Sequence, residues 1–150
     1  MDPLNQIVLP CLYTFIASIA FGIQFNIRLR HIIAAAIGGI VSQLIFSVME
    51  LQGSSEMLCY FAAACAISAY SEILARRLKV PINMYLVISI IPLVPGGYMY
   101  KAMITLISGD IPLFTERCLN TFGIAGSIAM GVFAVSSIVR LYRVLTKKAI

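Results

Sequence analysis

The chain has 150 residues, 61% of them hydrophobic and only 11% charged, against roughly half apolar and a quarter charged in an average soluble domain. That excess is too large for one small water-soluble core. The net charge of +5 is parcelled between apolar runs rather than spread over a solvated face, which argues against a nucleic-acid partner and for a chain sorted by a membrane.

A span needs about 20 apolar residues, so the length suffices for five spans with short loops. The expected fold is an all-α integral membrane protein, one polytopic domain over residues 1–150 in a lipid bilayer. The first run, Leu4 to Phe25, is preceded by Asp2 and by no Lys or Arg, and is long for a signal-peptide core, so it reads as a retained span. The second runs from about Ile32 to Met49 and the third from about Met57 to Ala75. The fourth, Ile82 to Ser108, is long and broken in the middle. The fifth runs from about Cys118 to Val139.

Orientation follows from the loops. Arg28 and Arg30 follow span one, Arg76, Arg77 and Lys79 follow span three, and Arg140, Arg143, Lys147 and Lys148 follow span five. The opposite side holds Asp2, Glu50, Glu56, Asp110 and Glu116, with Arg117 as its one basic residue. By the positive-inside rule the N-terminus is outside and the C-terminus cytoplasmic, in a plasma (inner) membrane.

The fourth run is interrupted by "IPLVPGG". Pro92 and Pro95 have no N–H, so the carbonyls of Ile88 and Ile91 lose their helical partners. Gly96 and Gly97 are expected to let the chain unwind. Two half-helices meeting near mid-membrane are the result, tolerated only where protein covers them or water fills a cavity. A simple packing kink is the plainer reading. Two prolines and two glycines in six residues are more than a kink requires, which favours a binding element. The carbonyl end of the first half-helix, near Ile91, would suit a cation, and the N-terminus of the second, near Gly97, a carboxylate.

Two ionisable groups fall inside spans. Glu72 lies one turn before Arg76, an i,i+4 order that makes either an interfacial ion pair or a proton-coupling site. Lys101 lies past the break. It either snorkels to the outer interface near Glu50 or faces a cavity and attracts a carboxylate. His31 reads as an interface residue. Among the uncharged amides Gln24, Asn26, Gln43, Asn83 and Asn120, Gln43 is the best placed to line a cavity.

Small residues recur at four-residue spacing: Ala34 and Gly38, Ala35 and Gly39, and Gly123, Ser127 and Gly131. They suit close helix packing within the chain and leave room for a homo-oligomeric contact. Cys11, Cys59, Cys65 and Cys118 show no metal or redox spacing, with a Cys59–Cys118 bridge left open. No nucleophile–base pair, phosphate loop, dinucleotide fingerprint or metal motif is present, so neither an enzyme nor a cofactor is expected.

The segments "ISIIPLVPGGYMYKAMITLISGD", "FGIQFNIRLRHIIAAAIGGIVSQLI" and "LNTFGIAGSIAMGVFAVSSIVRLYR" together resemble the threonine/serine exporter family in its small-subunit form. The P-x-x-P-G core is the most specific part. The resemblance implies secondary export of small carboxylate metabolites, threonine and serine or dicarboxylates such as succinate. It also implies a separate, larger membrane subunit as partner. On that reading Pro92, Pro95, Gly96, Gly97, Lys101 and Gln43 are the candidate substrate residues and Glu72 the candidate coupling group. The alternative is a non-transporting subunit that stabilises or regulates the larger one.

Overall fold

Four of the five apolar runs each become one helix, and the fourth becomes two. The computed structural model describes residues 3–147, with side chains from 7 to 145. Asp2, Lys148 and the side chain of Lys147 lie outside the described residues. Helix α1 spans Pro3–Gln24 and is followed by Asn26 in the left-handed region, φ 53°, which the short polar side chain tolerates. Helix α2 spans Leu29–Leu51 and α3 spans Glu56–Leu78. Lys79, also at φ 53°, closes α3 by letting the Val80 N–H reach Ala75 O at 3.1 Å. Helix α4 is short, Ile82–Ile90, and passes into a 3-10 turn at Ile91–Leu93. Helix α5 spans Gly96–Ile107. Helix α6, Ile111–Lys147, is the longest at 37 residues. Asp110 begins it by accepting the Leu113 N–H at 3.1 Å, and Pro112 sits in the first turn, where no amide partner is lost.

Four helices are long and apolar enough to cross a membrane, and the pair α4–α5, bent by 48° at its break, makes the fifth span when counted as one. The last helix extends beyond the expected Cys118–Val139 at both ends: Asp110 caps its start, and its flanks carry Glu116, Arg117, Arg140, Leu141, Arg143 and Leu145, which are good helix formers.

Packing follows the small residues. Helix α2 lies between α1 and α3, α3 packs on α6, and α4 rests on α2 and α3. A Cβ added to Gly39 would come 2.7 Å from Ser18 Oγ on α1. One added to Gly38 would come 2.8 Å from Ser89 Oγ on α4 and 2.9 Å from the Tyr70 ring on α3. Gly131 brings α6 so close to α3 that a Cβ would meet Phe61 O at 2.7 Å. These glycines therefore serve packing within the chain. Hydroxyls complete the contact by donating to carbonyls of α2: Tyr70 to Ala34 O at 2.7 Å and Ser89 to Ala35 O at 2.8 Å.

Two cores result. One gathers Tyr60, Ala64, Ile67, Leu93 and Ile124. The other gathers Ala35, Ala75, Tyr85 and Ile88, with Ile27, Leu78 and Val80 packed on it. The second brings the two arginine-bearing loops to one end of the bundle, called here the basic end. The outer surface is apolar, with Tyr13, Ile16, Phe122 and Phe133 exposed, as a lipid-facing surface requires. All four cysteines are free thiols, so the bridge left open between Cys59 and Cys118 is not formed.

Candidate functional site

The break is narrower than the sequence implies. Pro92 removes the amide that would have continued α4, and the chain tightens into one 3-10 turn in which Val94 N–H donates to Ile91 O at 3.1 Å. The Ile91 carbonyl, expected free, is thus occupied. Val94 is extended, φ −61° and ψ 132°, and Pro95 is buried. Gly96 and Gly97 do not unwind: they form the first turn of α5. The two prolines already supply the interruption, and a glycine in a first helical turn needs no unusual backbone.

What the glycines do is leave space. A Cβ on either Gly96 or Gly97 would meet nothing within 4 Å. The first α-helical bond of α5 runs from Met99 N–H to Pro95 O at 3.1 Å. The amides of Gly97 and Tyr98 precede any helical acceptor, beside an open face.

Lys101 lies one turn further along α5. It lines a cavity of about 290 Å³ with Tyr98, Glu116, Arg117 and Asn120. Its Nζ lies 5.7 Å from the Tyr98 ring centroid, within cation–π range. The carboxylate sharing this cavity is Glu116 rather than Glu50. Arg117 donates to Lys101 O at 3.0 Å, and the Tyr98 hydroxyl donates to Glu56. The first half of α5 is thereby tied to α3 and α6.

A second polar cavity, about 460 Å³, opens at the basic end. Glu72, Asn83, Ser136, Arg140 and Arg143 line it, with Leu86 and Val139 among its apolar walls. The Glu72 side chain is 11% exposed. Its pairing with Arg76 is present at 3.4 Å. A shorter contact comes from α6, where Arg143 Nη2 reaches Glu72 Oε2 at 2.7 Å. Among the described residues these are the ion pairs, and both arginines use the same oxygen.

The sequence reading counts Arg140 and Arg143 only as basic tail charges. Ser136, Arg140 and Arg143 stand at i, i+4 and i+7, one helical face, so the spacing was visible. That this face turns towards Glu72 depends on how α6 packs on α3.

Gln43 is placed apart from both cavities. It accepts from Thr14 Oγ1 at 3.5 Å and donates to Ser47 Oγ at 3.3 Å, between α1 and α2. His31 sits at the basic end with its Nδ1 2.6 Å from the buried Tyr85 hydroxyl.

Comparison with known proteins gives one family. The family model described as "Threonine/Serine exporter, ThrE" matches residues 10–138, most of the chain. No curated protein and no solved structure matches it.

Proposed function

The chain belongs to the threonine/serine exporter family, and from that premise we propose that it is the small subunit of a two-part secondary exporter of small carboxylate metabolites, acting with a larger membrane subunit. In this reading the substrate carboxylate is received at the start of α5. The observation that carries it is the open first turn: two amides without helical acceptors, two glycines at which an added Cβ would meet nothing within 4 Å, and the helix dipole adding partial positive charge there. Pro92 and Pro95 hold the turn open. Lys101, one turn on, supplies a full charge for the second carboxylate of a dicarboxylate. Glu72 is the candidate coupling group, and its use for coupling requires that Arg143 part from it.

The basic end faces the cytoplasm in this proposal. The test of orientation is a pair of reporters. One fused after Ile150 reads cytoplasmic and one inserted in the 50–56 loop reads external; the opposite assignment at either site sinks the topology.

The test of function is export of a panel of amino and dicarboxylic acids from cells expressing this chain with and without the neighbouring larger subunit. Export with the pair supports the proposal. Export from neither preparation supports the second reading, a non-transporting subunit that stabilises its partner. That reading draws on the exposed Met99, Tyr100, Met103 and Ile107 of α5.

A further inference from the structure

We infer that the cavity at the basic end is a loading site for a zwitterionic α-amino acid, in which the Glu72–Arg143 ion pair opens and both of its members re-pair with the substrate. The inference rests on the exporter reading and adds a site to it, separate from the start of α5.

The cavity holds a carboxylate and two guanidiniums within one volume of about 460 Å³, a size that suits a small metabolite. Both arginines contact Glu72 Oε2, which leaves Oε1 as the oxygen for an incoming ammonium. Arg143 is bound to Glu72 by its Nη2 alone and its side chain is 56% exposed, so its planar fork is accessible to a second carboxylate. Arg140, one turn back on α6, lines the same cavity. Asn83 on α4 and Ser136 on α6 supply neutral donors and acceptors for a hydroxyl-bearing side chain.

Charge bookkeeping selects the ligand class. Separating a nearly buried carboxylate from its arginine is costly unless each finds a new partner. An α-amino acid provides both: its carboxylate takes Arg143, its ammonium takes Glu72, and Arg76 stays on Glu72 throughout. Neither member of the Glu72–Arg143 pair is then left alone. A dicarboxylate could take Arg143 and Arg140, but it carries no cation to replace Arg143 at Glu72, so an α-amino acid is the ligand that re-pairs both members of the ion pair.

The site also lies near the break. Helix α4 passes from the cavity wall at Leu86 to the turn at Ile91 in about 8 Å of axial rise. A substrate loaded at the basic end is one and a half helical turns from the break.

The experiment is binding of radiolabelled L-threonine to the full chain in phosphatidylcholine nanodiscs, with unlabelled competitors. Threonine is expected to compete at least tenfold better than threoninamide, N-acetylthreonine or succinate. Arg143→Gln and Arg140→Gln are each expected to weaken threonine binding at least tenfold, and Arg143→Lys less. Glu72→Gln is expected to narrow the gap between threonine and N-acetylthreonine, a change that loss of a purely structural ion pair does not make. Thermal melting of each variant identifies any that fail to fold, and competitor selectivity in the parent decides the matter for those.

Absence of threonine binding by the parent overturns the inference. So does unchanged binding by both arginine variants, or succinate binding more tightly than threonine. Export measured in parallel separates the two readings: threonine export at the parent rate by Arg143→Gln removes the loading site and leaves the exporter standing.

Discussion

The two halves of the interrupted helix are built on opposite principles. Helix α4 is held: Tyr85, Ile88 and Ser89 are buried, Ser89 donates to a carbonyl of α2, and Gly38 gives it room to sit against that helix. Helix α5 is displayed. It packs chiefly on α6, buries only Ala102 and Thr105, and starts on two glycines where an added Cβ would meet open space. One sequence motif thus separates a fixed half from an open half. The lesson is that glycine has two settings in one bundle: at 38 it admits a neighbouring helix, and at 96 and 97 it leaves backbone uncovered.

Substitution tests this contrast directly, and the largest effect is expected at the held half. Gly38→Leu drives side-chain atoms into Ser89 and Tyr70, and overpacking of this kind costs about 1–3 kcal/mol or more. Loss of the folded monomer in detergent, read by size-exclusion and thermal melting, is the expected outcome. Normal melting would show that α4 is not clamped as described.

Gly97→Leu is expected to do the reverse. The protein inserts, melts within about 0.5 kcal/mol of the parent, as for a surface change, and associates with its partner, yet exports nothing. Normal export would reduce the break to a packing kink. Pro95→Ala restores one N–H and part of the helix, and is expected to lower export without abolishing it.

The smallest effects distinguish the halves by stability alone. Ser89→Ala removes one buried interhelical hydrogen bond, worth about 0.6 kcal/mol in membranes. Met103→Ala on the exposed face of α5 should fall well below that in the same denaturation assay. Equal losses at both sites would mean that the halves are equally anchored.

The spans were legible in the sequence because hydropathy sums over about 20 residues and tolerates local error. The location of the break was legible too, since Pro92 and Pro95 remove two amides from one short stretch, whereas the single Pro10 is carried inside α1. What followed the break was not. Gly96 and Gly97 are permissive, and permissiveness does not state which conformation is chosen; the prolines and the 3-10 turn settled it. Arg143 and Glu72 are 71 positions apart in the chain, and only the close approach of α6 to α3 at Gly131 brings them together. Lys101 had two readings in the sequence, one at the outer interface near Glu50 and one facing a cavity; after the 48° bend it lines a cavity, with Glu116 as the carboxylate there.

The length of α6 has a mechanical consequence. At 1.5 Å per residue, 37 residues make a rod of about 55 Å, well beyond the roughly 30 Å of hydrocarbon. The rod forms a wall of both polar cavities, through Glu116, Arg117 and Asn120 near one end and Ser136, Arg140 and Arg143 towards the other. Between them Gly131 presses on the backbone of α3. One stiff beam thus forms a wall of both chambers and is held against α3 between them.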